Sequence, residues 1–358
     1  MSRFLQLHFL TSYGPANLNR DDLGRPKTAF FGNAQRLRVS SQSLKRAWRT
    51  SELFEAALKG HVGKRSKRFG QELVGILREA GVAEKQAIEW TAAIMAQFGK
   101  LETVKSGKKS ETAESALKAV DLTTLLFLSQ DEIANLGALA RKLAAEKRAP
   151  LAEELNALRA KGKAADIAMF GRMIADHPGS NLEAAVQVAN AITVNSTEVE
   201  DDYFSAVDDL NTDAETGSAH LGETGFGAGV FYSYLCVDRE LLRENLDGDD
   251  DLARRAIAAL AECAATVAPR GKQASFASRA YALYGLAEKG DRQPRSLSMA
   301  FLKPVADQNL GHDAIAALEA ARDGLDAVYG AHERRYAFNA LKPEGKFAEF
   351  LQFASADE

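Results

Sequence analysis

Between Arg20 and Arg49 the chain gathers eight basic side chains: Arg20, Arg25, Lys27, Arg36, Arg38, Lys45, Arg46 and Arg49. Only two acids, Asp21 and Asp22, oppose them, a local charge of +6. The stretch closes on Ser40-Ser41-Gln42-Ser43-Leu44-Lys45-Arg46-Ala47-Trp48-Arg49, which has the pattern of a helix start. Ser40 or Ser41 caps the exposed N–H groups of the first turn. Leu44 and Trp48 lie one turn apart and form the buried stripe, and Lys45 and Arg49 repeat at the same spacing on another side. A helix N-terminus presents N–H donors and the positive end of a dipole to an anion. Serine hydroxyls and the Gln42 amide add donors, and Lys45, Arg46 and Arg49 add charge. The chemistry is phosphate binding. A merely solvated basic face is the plainer alternative; the density of cations, the cap and the arginine-rich approach favour a ligand.

Asp21-Asp22 beside Arg20 is the one carboxylate pair in this region. Such a pair can hold a divalent metal for phosphodiester cleavage, or it can shape a turn or pair with neighbouring arginines. Further ligands are missing around it, so the expectation is no metal, no cofactor and no catalytic residue. Other catalytic patterns fail on spacing. Gly225-Phe226-Gly227-Ala228-Gly229 precedes a strand, whereas a dinucleotide fingerprint follows one and opens a helix. The six histidines are scattered, without metal-ligand spacing. Cys236 and Cys263 cannot make a disulfide framework and read as small buried residues.

These groups need elements to carry them. With 358 residues the chain is long enough for about two domains. Its 46% hydrophobic and 26% charged residues are ordinary for a globular protein and exclude wholesale disorder. No apolar run reaches the roughly 20 residues of a membrane span, and Met1-Ser2-Arg3 opens no signal segment, so the expected location is the cytoplasm. Leu5, Leu7 and Phe9 alternate with Gln6 and His8, a half-buried strand ended by Tyr13-Gly14-Pro15. Arg20 to Val39, with Gly24, Pro26 and Gly32, reads as a long loop. From about 60 to 193 the period turns helical. Phe69, Leu73, Ile76, Leu77 and Ala80 form one stripe, and Ala87, Trp90, Thr91, Ile94 and Phe98 the next. Ser129 with Glu132 makes a capping box. Pro150 suits a first helical position, and Ser180 with Glu183 opens a further helix. Glu198 to Glu223 holds nine acids and no Lys or Arg, which suits a basic partner or another copy of the chain. Val230 to Val237 is a strand, Asp251 to Val267 a helix, Arg270-Gly271-Lys272-Gln273 a basic loop, Ala280 to Leu286 a strand and Asp313 to Tyr329 a helix. The order gives an α+β fold, with an interrupted strand–helix–strand–strand–helix–strand core as one candidate.

Several of these segments together resemble one family. Asn19-Arg20-Asp21-Asp22, Phe31-Gly32 and Ser40 to Arg49 are similar to the signature of the CasC family, the backbone subunits of the type I-E CRISPR surveillance complex Cascade. Gly171-Arg172-Met173, Phe204 to Leu210, Gly217 to Gly222, Gly229 to Tyr232 and Lys272-Gln273 follow in the same order. Phe170 departs from the pattern, which has a small polar residue there. The resemblance implies an RRM-like (ferredoxin-like) palm of the RAMP superfamily at 1–58 and 226–358. It also implies a helical fingers insertion at 59–194 and a β-rich thumb at 195–225. It implies a non-catalytic subunit, several copies of which bind one CRISPR RNA head to tail beside other Cascade subunits. The guide is presented for pairing with target DNA in antiviral defence, and a recruited helicase-nuclease cuts. Arg20, Lys27, Ser41, Gln42, Lys45, Arg46, Arg49, Lys272 and Gln273 would hold the RNA. Arg172 and Met173 would sit beside a kinked nucleotide, with Met173 as a wedge and Phe204 against the displaced base. The acidic segment would face a neighbour's Lys64, Arg65, Lys67 and Arg68. The alternative is a metal-dependent RAMP endoribonuclease using Asp21 or Asp22.

Overall fold

The computed structural model describes residues 2–103, 117–158, 163–174, 178–206, 220–306, 308–332 and 334–357. The chain divides into two compact units, one of Met1–Ala57, Val186–Arg239 and Arg254–Glu358, the other of Leu58–Ala185 and Glu240–Ala253. The chain begins with β1 (Phe4–Ala16), β2 (Thr28–Phe31), β3 (Ala34–Val39), α1 (Ser41–Arg49) and α2 (Glu52–Ala57). It continues through β4 (Lys64–Ser66), α3 (Phe69–Glu79), α4 (Glu84–Met95), β5 (Leu126–Leu128), α5 (Gln130–Glu146), α6 (Ala152–Ala157) and α7 (Ala165–Phe170). After these come β6 (Val186–Val188), β7 (Ala191–Thr193), β8 (Glu200–Ala206), β9 (His220–Asp238), α8 (Arg239–Asn245), α9 (Asp250–Thr266) and α10 (Gln273–Phe276). The last elements are β10 (Ala282–Gly290), α11 (Leu310–Tyr329), β11 (Arg334–Asn339) and α12 (Phe347–Ser355). Helices and antiparallel strands mix as an α+β fold.

In the first unit the strands pair antiparallel in the order β11-β10-β1-β9-β7-β3-β2, with β6 and β8 also on β9. β1 is central and buried on both faces, not half-buried as its alternation suggests. Phe9 packs edge-on against Phe350 of α12 at 5.7 Å on one side. On the other, Leu10 joins Tyr232, Tyr284, Phe301, Ile315 and Leu318 under α11. Tyr13-Gly14-Pro15 does not end the strand. The register shifts there, and pairing with β9 resumes at Ala16 opposite Gly227.

Arg20 to Val39 is not a structureless loop either. β2 and β3 form a hairpin around Gly32 and Asn33, both at φ +58, the backbone that a two-residue hairpin turn requires. Ser180 does not open a helix; β6 and β7 pair with β9 instead. Their Val186, Val188, Ile192 and Thr193 are β-branched, and a short apolar run satisfies both periods until a partner strand decides. The glycine run of β9 reflects close approach. A Cβ on Gly227 would sit 2.8 Å from Leu37 Cδ1. Arg36, counted among the basic cluster, is fully buried and donates to the carbonyls of Thr193 (3.0 Å) and Phe301 (2.8 Å).

Gln6 and His8 face a buried polar network. His8 Nδ1 meets Tyr232 Oη at 2.9 Å and His8 Nε2 lies 3.4 Å from Glu288. Arg295 bridges Glu288 (2.7 Å) and Asp326 (3.0 Å), Arg335 also reaches Asp326, and Tyr234 and His332 close on Gln6. Burial lowers the His8 imidazole below 6.5 despite Glu288. For Glu288, burial pushes upward, but the His8 and Arg295 hydrogen bonds outweigh it and hold the carboxyl below its usual range. Both groups have folded values beneath their unfolded ones, so both destabilise the fold as pH falls, His8 first. Unfolding free energy is expected to drop below pH 6.5 with a slope of up to about 1.4 kcal/mol per pH unit from His8 alone. His8→Asn should shrink that step in urea titrations, leaving the part from His332, whose imidazole burial also lowers, and a lower one from Glu288, still held by Arg295.

The second unit has its own core. Phe69, Leu73 and Leu77 of α3, Trp90 and Ile94 of α4, and Leu136, Ala140 and Leu143 of α5 pack together with β5, the stripes that the helical period predicts. α6 starts after Pro150, with Leu151 at its N-cap, so the proline lies just outside the helix. Both cysteines are buried, which pushes the Cys236 thiol up to about 12 and Cys263 up to about 11. They are small buried residues, as the sequence suggests. Among the described residues no helix is long and apolar enough to cross a membrane.

Candidate functional site

α1 forms as its sequence dictates. Ser40 is the N-cap and its Oγ accepts from Ser43 N at 3.3 Å; Leu44, Ala47 and Trp48 are buried. The N-terminus is less open than the spacing suggests, because Ser41 N is taken by Asn190 Oδ1 at 3.0 Å and Ser43 N by the cap. What the helix offers a ligand is its flank. Ser40→Ala is expected to cost about 1 kcal/mol in chemical denaturation, the usual worth of an N-cap.

The segment before the hairpin is a closed loop rather than a tether. Lys27 N donates to Asn19 O at 2.8 Å and Asp21 N to Arg25 O at 2.9 Å. Asp21 Oδ1 accepts from Leu23 N (3.0 Å) and Arg25 N (2.9 Å), the self-capping turn that aspartate favours. Asn19 Oδ1 takes Ser40 N at 2.9 Å, fastening the loop to the helix cap. Loop and helix flank enclose a polar cleft of about 450 Å³, lined by Arg20, Asp21, Asp22, Ser43, Arg46 and Arg270 among others. Gly271 belongs to the same wall, where a Cβ would strike Leu18 O at 2.2 Å. Three guanidinium groups against two carboxylates, one of them turned to its own loop, suit a phosphate, which arginine binds bidentately.

Of the residues expected from sequence, the cleft brings together Arg20 and Arg46. Lys27, Ser41, Gln42, Lys45, Arg49, Lys272 and Gln273 do not line it. Burial holds the Lys45 ammonium below its usual value. Lys272 takes a left-handed backbone, φ +46, at the start of α10. Two cleft residues were missed. Ser43 stands one turn before Arg46 and Ala47 on the same flank, a spacing that could have found it. Arg270 opens the basic loop but gave no sign that it would return to α1, where it donates to Thr50 O at the C-cap.

Arg172 and Met173 belong to the second unit. The capping box of α5 is present: Glu132 N donates to Ser129 Oγ at 3.1 Å and Ser129 N to Glu132 Oε2 at 2.7 Å. The same carboxylate holds Arg172 Nη1 at 2.7 and 2.9 Å, and that nitrogen also reaches Phe127 O. The Arg172 backbone pairs with Leu182 in both directions. So Arg172 is buried and engaged within the protein, while Met173 beside it is 81% exposed. Phe204 lies on β8, 43% exposed beside Tyr203 at 67%. β8 pairs with β9 from Glu200 opposite Phe226 to Ala206 opposite His220. Asp208, Asp209, Asp213, Glu215 and Gly217 to Ala219 lie outside the described residues. Among the described residues no group of three or more His, Cys, Asp or Glu is gathered to hold a metal ion.

The α+β chain thus carries an arginine-lined cleft and exposed apolar side chains, Phe204 on β8 and Met173 beside Arg172. The chain belongs to the CT1975-like protein family, whose model matches residues 5–355. Along 98% of its length it is similar to a chain of a CRISPR RNA-guided surveillance complex, pre-nicking, with 28% identity, a TM-score of 0.84 and 99% of that chain covered. It shares the fold of a chain from another CRISPR RNA-guided surveillance complex, with 24% identity and a TM-score of 0.74 over 99% of this chain and 100% of that one. No curated protein sequence matches it significantly.

Proposed function

We propose that this protein is a guide-RNA-binding backbone subunit of a Cascade-type CRISPR complex, of the CasC kind found in type I-E systems. The cleft carries the reading. Arg20, Arg46 and Arg270 converge on one polar cavity beside a capped helix, in a chain similar end to end to a surveillance-complex subunit. RNA phosphates occupy the cleft, and Lys27, Ser41, Gln42, Lys45, Arg49, Lys272 and Gln273 continue the grip along the backbone. Met173 and Phe204 meet the bases, and Arg172 sets the direction of Met173. Copies align head to tail on one CRISPR RNA, with other subunits, in the cytoplasm. The guide pairs with target DNA.

The core supports an RRM-like palm. β1, α1, β6–β7, β9, α9 and β10 follow one another as strand, helix, strand, strand, helix, strand, and neighbours run β10-β1-β9-β7, the order of a ferredoxin-like sheet. The β8–β9 hairpin would be the thumb and the helical unit the fingers. The subunit is non-catalytic in this reading, since Asp21 serves its own turn.

The test is purification of the full chain from cells that supply a guide. Small RNA is expected to co-purify, raising the ultraviolet absorbance ratio, and the bound RNA should survive incubation with Mg²⁺ or Mn²⁺. Protein that carries no RNA and binds none added back would overturn the binding reading. Cleavage that disappears in Asp22→Ala would establish the ribonuclease instead.

A further inference from the structure

The loop that holds Arg20 and the hairpin that carries Phe204 meet at a buried amide. Asn17, at the end of β1, is fully buried. Its Nδ2 donates to Gly24 O at 3.0 Å, inside the loop, and to Gly225 O at 2.9 Å, on β9 at the hairpin root. One side chain therefore uses both donor hydrogens to join two segments far apart in sequence. A second tie lies close by: Arg25, also in the loop, pairs with Asp201 of β8 at 2.8 Å. Asp201 and Gly225 stand opposite each other on the hairpin ladder, so both ties land on a single rung. Pro26 Cδ lies 3.1 Å from where a Gly225 Cβ would be, so the loop also packs closely on this rung. One residue along, Phe226 faces Phe276 of α10 at 6.2 Å, which brings the segment after Arg270 to the same root.

We propose that Asn17 is a positioning residue which, with the Arg25–Asp201 pair, makes the phosphate-gripping loop and the hairpin root one mechanical body. Binding of a phosphate at Arg20 then fixes the direction in which the hairpin carries Phe204. This rests on the RNA reading above. The two ties are complementary in kind. The Asn17 amide is desolvated, so losing either carbonyl is costly. The ion pair is exposed on both sides and adds little stability, which makes it a handle on position that does not threaten the fold.

Hydrogen exchange of the full chain, with and without single-stranded RNA of mixed sequence, tests this. In the unaltered protein RNA is expected to slow exchange at loop amides 18–27 and at hairpin amides 200–204 and 222–226. In Asp201→Asn and in Asn17→Ser the loop should keep its RNA-dependent protection while that of the hairpin falls by about tenfold, a local opening. Exchanging the charges, Arg25→Asp with Asp201→Arg, should restore it. Affinity adds a check of opposite sign: removing the Asp201 carboxylate would tighten RNA binding if charge alone mattered, whereas lost positioning weakens it. Hairpin protection that persists in Asp201→Asn, or tighter binding by that variant, overturns the proposal. A protected loop with an unprotected hairpin in the unaltered protein also overturns it, yet leaves the RNA reading intact. An unprotected loop sinks both.

Discussion

Arg172→Ala is expected to destabilise the helical unit by roughly 3–5 kcal/mol, the cost of leaving one member of a buried ion pair without its partner. Arg172 and Glu132 side chains are 4% and 7% exposed, so water cannot replace the lost guanidinium. Glu132 also caps α5, so its stranded charge would weigh on the helix start that the pair now supports. The chain has two tryptophans, one in each unit: Trp90 in the helical core and Trp48 on the buried face of α1. Urea unfolding of a Trp48→Phe background should show the Trp90 transition moving to lower denaturant in Arg172→Ala. A Trp90→Phe background should show the Trp48 transition nearly unmoved. Met173→Ala, one residue on and exposed, should stay within about 0.5 kcal/mol of the parent and weaken RNA binding instead. Should Arg172→Ala leave stability intact and remove RNA binding, Arg172 would be a direct RNA contact and not the support of its neighbour.

Local rules were enough for some elements and not for others. α1 and the α5 capping box were legible because their signals are confined to one turn: Ser40 with Ser43, and Ser129 with Glu132. The stripes of α3 and α4 were legible because an amphipathic period of that length fits only one element. The β2–β3 hairpin carries its own signal in Gly32-Asn33, but Gly24 and Pro26 close before it suit a loop equally well. β6 and β7 were not legible. Their three-residue runs are too short to fix a period, and the pairing that decides them comes from β9, much further along the chain: Val186 pairs with Val237 and Ile192 with Tyr232. Two-sided burial of β1 was hidden for a related reason. Gln6 and His8 look like a solvent face until Glu288, Arg295 and His332 arrive from distant segments to satisfy them. The candidate site was legible as charge and not as shape. Arg20 and Arg46 stood out, but Arg36 of the same cluster serves the core, and Arg270 joins from the far side of the chain. Chain order alone carries no sign of either.

Replacing Arg20 and Arg46 together with Ala is expected to weaken RNA binding by about 100-fold or more at low salt, taking charge-assisted hydrogen bonds at roughly 1.5–3 kcal/mol each. Both side chains line the cleft and neither belongs to the buried set, so the fold should be kept, with thermal unfolding close to that of the parent. The salt response separates phosphate contact from a general loss of structure. Each phosphate contact to a single strand contributes about −0.7 to the slope of log K against log salt. The double variant should therefore lose about 1.4 of slope, and the loss should be the same for RNAs of unrelated sequence, because phosphate contacts carry no base information. Lys45→Ala with Arg49→Ala, on the same helix but outside the cleft, should flatten the slope without closing the cleft to RNA. An unchanged slope in Arg20→Ala/Arg46→Ala, with affinity retained, would mean that the cleft between the Asp21 loop and α1 is not where RNA lies. The grip would then have to be sought among the cations that flank it.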